Sequence, residues 1–81
     1  MVTPDSIKQG IESQLAAERV DVAGDGQHFQ ALIVSAAFEG KSRIQRHQLV
    51  YAALGDRMRE EIHALSMRTL TPAEWKTQGS P

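Results

Sequence analysis

The stretch HFQALIVSAAF, His28 to Phe38, constrains the fold more than any other part of the chain. Its apolar residues fall on both faces of a period-2 ladder, the pattern of a strand covered by helices on one side and flanked by other strands. A central strand needs neighbours, and the chain offers two. Upstream, Val20 and Val22 alternate with Arg19 and Asp21, and AGDGQ comes next with two glycines around an aspartate, the composition of a hairpin connection. Downstream, Leu65, Met67 and Thr69 alternate with Ser66, Arg68 and Leu70.

The remaining segments read as helices. Thr3 is a capping hydroxyl ahead of Pro4, and Ile7, Ile11 and Leu15 recur every four residues, which predicts a first helix over Pro4 to Ala17. Gly40 closes the central strand and Ser42 caps the next helical segment. Ile44, Val50, Leu54, Met58 and Ile62 lie near one helical face, with Arg46, Gln48, Arg57 and Glu61 largely off it. Positions 44 and 50 are out of phase, which predicts a short first turn near SRIQ and a change of direction before the main helix. Gly55 weakens that helix locally, by about 1 kcal/mol relative to alanine. TPAE, Thr71 to Glu74, is a capping box that starts a short C-terminal turn carrying Trp75.

The order is therefore α-β-β-α-α-β. A hairpin followed by a helical crossover requires one antiparallel and one parallel pairing, so the expectation is a two-layer α+β fold with a three-stranded mixed sheet and helices on one face. With 81 residues all elements share one core. We expect a single domain over residues 1–76 and a frayed tail over 77–81. Phe29, Tyr51 and Trp75 are expected to serve packing. The chain has no cysteine, so neither a disulfide framework nor a thiolate metal site can compensate for a small core. The N-terminus lacks a basic start followed by an apolar run, and no apolar stretch approaches spanning length, so the cytoplasm is the expected location and no membrane partner is expected.

Enzymatic chemistry finds no support: there is no Ser-His-Asp spacing, Gly-rich phosphate loop or HExxH. The three histidines are the residues suited to metal or proton chemistry. His63 stands where helix gives way to strand, either as a helix C-terminal cation or as a ligand at the sheet's edge. His28 follows the hairpin turn, where the backbone can adapt. His47, in RHQ, either joins a basic surface or serves packing. Net charge is −1, yet residues 1–26 hold five acids against two bases, while Lys41, Arg43, Arg46 and His47 cluster near a single acid, Glu39. A pI of about 6.3 does not advertise general phosphate binding.

FEGKSRIQRHQLVYAAL (Phe38 to Leu54), followed by EIHALSMRTLTPAEW and preceded by GDGQHFQ, resembles the BolA family, in its short IbaG-type branch, over roughly Ile7 to Trp75. The resemblance implies a fold similar to a class II KH domain. It also implies pairing with a monothiol glutaredoxin of the CGFS type as a heterodimer that shares a bridging [2Fe-2S] cluster in iron-sulfur trafficking or iron and stress sensing. The family's cluster ligand in the IHA motif maps onto His63. A second ligand comes from the loop between the first two strands, where His28 is the standard nitrogen ligand and Asp25 offers oxygen. Cysteine and glutathione thiols would come from the partner, so no cluster is expected in the isolated protein, a monomer or weak homodimer. The resemblance further implies DNA-linked regulation for some members, with Lys41, Arg43 and Arg46 on phosphates and His47 and Gln48 near them. Against this, a KH domain clamps backbone through GXXG, and EGKS has one glycine.

Overall fold

In the computed structural model of the protein, which describes residues 3–55 and 64–79, the first helix starts as its cap predicts. The Thr3 hydroxyl accepts from the Ser6 amide, Ser6 Oγ accepts from the Thr3 amide, and α1 runs Pro4–Gln14 with Ile7 and Ile11 fully buried. It stops short of the expected Ala17. Leu15 turns extended while its amide still bonds Ile11, and the Ala16 carbonyl is taken by the Ser35 hydroxyl at 2.6 Å, which draws the chain toward the sheet.

Strand β1 (Arg19–Gly24) pairs antiparallel with β2 (His28–Val34), and β2 pairs in parallel with β3 (Ala64–Leu70), so β2 is central in a sheet ordered β1-β2-β3. The mixed three-stranded sheet and the α+β class match expectation. The central strand is shorter than expected, ending at Val34 rather than Phe38. Ser35 is fully buried, and besides donating to Ala16 its oxygen accepts from the Ala37 amide, which caps a 3-10 turn over Ala36–Phe38. A side chain that serves as cap cannot also continue a ladder, so the apolar AAF segment folds inward and Phe38 joins the core at 0 % exposure.

The short turn and change of direction expected near SRIQ do not form; the 3-10 turn over Ala36–Phe38 is a separate element upstream of it. Ser42 and Gln45 form a reciprocal capping box, and α2 runs unbroken over Arg43–Leu54. Val50 and Leu54 are buried, whereas Ile44 is 69 % exposed: the phase mismatch is resolved by leaving Ile44 in water, not by bending the helix. Gly55, at φ 59°, ends α2. Met58 and Ile62, expected on the same stripe, lie outside the described residues.

One sheet face carries Val20, Phe29, Ala31 and Ile33, packed against Ile7, Ile11, Leu15, Phe38, Val50 and Leu54. Strand alternation sends Asp21, Ala23, Gln30, Leu32, Ser66 and Arg68 to the other face. At one end of that face Arg19, Val34 and Leu70 are register partners, with Val34 and Leu70 buried. The Arg19 guanidinium lies 4.9 Å from the centre of the Trp75 ring. Trp75 thus ties the C-terminal segment, α3 (Pro72–Glu74) and the π-type turn Trp75–Gly79, to β1. Phe29 is the core aromatic expected of it, but Tyr51 is 40 % exposed, on the outer side of α2.

Removing the buried ring in Phe38→Ala is expected to cost about 3–5 kcal/mol, whereas Ile44→Ala should stay within about 0.5 kcal/mol of the parent. Urea unfolding followed by circular dichroism checks both; equal costs would contradict the assignment of Ile44 to the surface.

Candidate functional site

Two polar regions are built at opposite ends of the sheet. The first is the β1–β2 hairpin. Asp25 Oδ1 accepts from the Gln27 and His28 amides at 2.9 and 2.8 Å, and the Asp25 amide donates to the His28 carbonyl, so the carboxylate closes the loop. These amide bonds, His28 first, hold the Asp25 carboxyl below the ordinary aspartate range. Gly26 takes the positive φ that the turn requires. Gly24 is needed for a different reason: a Cβ there would sit 2.6 Å from the His28 carbonyl oxygen and 2.5 Å from the Phe29 ring.

The loop presents His28 at the first position of β2. Its side chain is 78 % exposed, with Nδ1 4.0 Å from Asp25 Oδ2, beside a shallow depression lined by Ala23, Gly24, Asp25 and Gln30. Asp25 therefore acts mainly as a loop builder, with one oxygen used by the backbone and the other toward the imidazole. His63 lies outside the described residues. Its chain neighbour Ala64 is the register partner of His28, because β2 and β3 are parallel and begin at the same end. Among the described residues, no group of three or more His, Cys, Asp or Glu is disposed to hold a metal ion.

The second region is a groove of about 380 Å³ between the start of α2 and the outer edge of β3, lined by Lys41, Arg43, Arg46 and His47 together with Arg68 and Gln78. The basic residues expected to cluster do share this groove, but they are not equivalent. The Arg46 side chain is only 14 % exposed and is spent on structure: Nη1 donates to Glu74 Oε1 at 2.7 Å and to the Thr69 carbonyl at 3.1 Å, and Nε donates to the Lys41 carbonyl at 3.0 Å. Glu74 in turn accepts from the Thr71 amide at 2.8 Å, completing the α3 capping box. One guanidinium thus joins α2 to β3, through the Thr69 carbonyl, and to α3, through Glu74. His47 is half-buried and meets Tyr51 edge to face, one helical turn on, with ring centroids 6.4 Å apart. Lys41, Arg43 and Arg68 are exposed and form no ion pair among the described residues.

Sequence reasoning missed Arg68 and Gln78 as neighbours of the basic cluster, and missed Glu74 as the partner of Arg46. The capping box signalled that Glu74 would bend back toward Thr71, but nothing local could announce an ion pair across this many residues. In the EGKS turn Gly40 has φ 74° and Ser42 is occupied as the α2 cap, so the segment is built as a helix entry.

The Arg46 hydrogen bond, followed by the Thr71 amide, lowers the Glu74 carboxyl below the ordinary glutamate range. A depressed acid contributes stability that is fully present above its unfolded pKa and is lost as pH falls through its folded value, so the contribution should fade below about pH 4. Thermal unfolding from pH 7 to 3 should show a smaller acid loss in Glu74→Gln than in the parent; parallel curves would contradict the clamp. For the hairpin, Gly24→Ala should shift the amide resonances of Asp25 to Phe29 and lower the melting temperature, and an unperturbed loop spectrum would refute the close approach.

The family model for BolA-like proteins matches residues 3–74. The acid stress protein IbaG of Escherichia coli strain K12 is 39 % identical over 72 residues, spanning 88 % of this chain and 86 % of that protein. The DNA-binding transcriptional regulator BolA of Haemophilus influenzae is 44 % identical over 55 residues, covering 68 % of this chain and 53 % of its own length. Among solved structures, a BolA protein homologue from Coxiella burnetii superimposes with a TM-score of 0.85 at 49 % identity, over 94 % of this chain and 99 % of that one. The names of the two relatives are those of a stress protein and a regulator, not of enzymes. A family match over nearly the whole chain, and a shared fold at this level of identity, lead to one conclusion: the protein is an IbaG-like member of the BolA family.

Proposed function

We propose that the protein is a non-enzymatic adaptor that forms a heterodimer with a monothiol glutaredoxin of the CGFS type and shares a bridging [2Fe-2S] cluster with it, in iron-sulfur trafficking or in sensing iron or stress. The observation that carries this reading is the parallel register, which sets His28 opposite Ala64, the residue after His63. Two imidazoles drawn from separate parts of the chain would make half of a ligand set.

The donor chemistry fits. The cluster usually takes four thiolates, but imidazoles replace two of them at Rieske centres. This chain has no thiol to offer. Its part would be to present imidazole nitrogen at an exposed edge, and His28 is free to do so, since its side chain is largely in water and its nearest acidic neighbour stands 4.0 Å away. Asp25 would act as a positioning residue, holding the turn from which His28 projects. The glutaredoxin cysteine and a glutathione thiol would complete the set, so the shared cluster would exist only in the complex.

Visible absorption and circular dichroism of a cluster-loaded CGFS glutaredoxin with glutathione, titrated with this protein, test the reading. A new spectrum is expected, lost in His63→Ala and altered in His28→Ala. An unchanged spectrum, with the two proteins failing to associate, would overturn it.

DNA binding is the rival reading, supported by the name of the Haemophilus influenzae relative and by the basic groove. It has less support from the geometry. Arg46, expected on a phosphate, is already bonded to Glu74, Thr69 and Lys41, and the turn that would serve as a KH clamp has a lysine and a serine after its single glycine.

A further inference from the structure

The basic groove runs along a strand edge with no neighbouring strand among the described residues. β3 is the last strand of the sheet, and among the described residues nothing pairs with its outer side. In a strand, the N–H and C=O of one residue point to the same side and alternate residues point to opposite sides. Two bonds establish which are which. The Leu70 carbonyl accepts from the Ser35 amide on the β2 side, and the Thr69 carbonyl accepts from Arg46 on the outer side. Met67 and Leu65, two and four residues before Thr69, therefore also aim their backbone groups outward, and Met67 itself lines the groove.

An unpaired edge is a template for another strand, and proteins usually blunt such edges. This one is blunted at one point: the Arg46 guanidinium occupies the Thr69 carbonyl and so marks where an added strand would stop. Short of that point no described residue pairs with the edge, and the charged side chains lining the groove are basic. Lys41, Arg43 and Arg68 are exposed and unpaired among the described residues, and Arg46 is paired with Glu74.

We propose that the edge of β3 between Leu65 and Thr69 takes up an extended acidic peptide segment of a partner protein as a fourth strand, its carboxylates meeting Lys41, Arg43 and Arg68. Main-chain pairing supplies affinity in such strand addition and side chains supply selectivity; here the selectivity is electrostatic. A nucleic acid is the less suitable occupant. Among the described residues lining the groove, the one aromatic ring is the half-buried His47, set edge to face against Tyr51, so a base has little on which to stack, and the Arg46 guanidinium is taken. The basic end of the site, at Thr69, lies five residues from Ala64, about 17 Å at the usual strand rise, while its other end, Leu65, adjoins the histidine end of the sheet. The proposal does not rest on the cluster reading, and either can fail alone.

The test uses the full chain labelled with 15N, without glutaredoxin, titrated with an octapeptide of alternating glutamate and valine, with the same peptide N-methylated at every residue, and with a single-stranded thymidine oligonucleotide. The octapeptide is expected to shift the Met67 amide and slow its hydrogen exchange. N-methylation, which keeps the charge but removes the strand-pairing donors, should weaken binding at least about tenfold. The double variant Lys41→Glu, Arg43→Glu, at two exposed positions, should also weaken it at least about tenfold. An octapeptide that leaves the Met67 amide unmoved up to about 1 mM, or that binds no better than its N-methylated form, would overturn the proposal. So would an oligonucleotide that binds more tightly than the octapeptide while moving Lys41 and Arg43 but not Met67.

Discussion

The parallel pairing of β2 with β3 is the constraint on which the other features depend. An antiparallel neighbour is reached through a tight turn, as β1 reaches β2 through Asp25, Gly26 and Gln27; a parallel neighbour has to be reached by carrying the chain back along the length of the sheet. That return places α2 across the sheet face already covered by α1, and the two helices bury Phe29, Ala31 and Ile33 between themselves and the strands. The same pairing starts β2 and β3 at one end, which sets His28 beside Ala64, and ends them together at Val34 and Leu70, where the C-terminal segment is tied back by Arg19 and Trp75. A sheet of only three strands also has two edges, and the outer edge of β3 borders the basic groove.

Charge is divided between structural and available groups, and burial separates them. Arg46 is mostly covered, and its three hydrogen-bond partners come from the loop before α2, from β3 and from α3, so it behaves as a tie between elements whose loss would remove a donor from two carbonyls and a carboxylate. Its guanidinium also stands 6.0 Å from the centre of the buried Phe38 ring, close to the turn that ends the central strand. Lys41 and Arg43, near it in sequence, remain in water with no such partner among the described residues. At the other end of the sheet Asp25 is bonded to the backbone of the loop that displays His28. In both regions a well-bonded residue supports exposed ones, and the exposed ones are those with chemistry to offer a partner.

Local patterns carry much of the fold. Thr3 before Pro4, the two-glycine turn, the alternation in β1 and β3 and the Thr71–Glu74 box each report on contacts within a few residues, and each forms as the pattern predicts. Pattern and structure part where a residue has a distant partner. By spacing Ser35 is one more strand position, yet its hydroxyl bonds Ala16, far back in the chain, and the strand stops there. By spacing Ile44 belongs to the core, and it is in water, because α2 presents Val50 and Leu54 to α1 and the sheet, and a straight helix cannot also turn position 44 inward. Gly55, expected as a weak point inside a helix, instead ends it.

The sequence by itself determined the order of elements, the mixed sheet, the central place of β2 and the family, together with the candidate histidines and basic residues, because periodicity, capping and turn chemistry are local and survive in one dimension. The tertiary structure decided what those residues are free to do. It drew Arg46 into a tie with Glu74, turned Asp25 into a loop builder, brought His28 level with Ala64 and added Arg68 to a groove with Lys41 and Arg43. Those outcomes depend on strand register and on which atoms are left without a partner once the core has closed, and neither can be read from spacing along the chain.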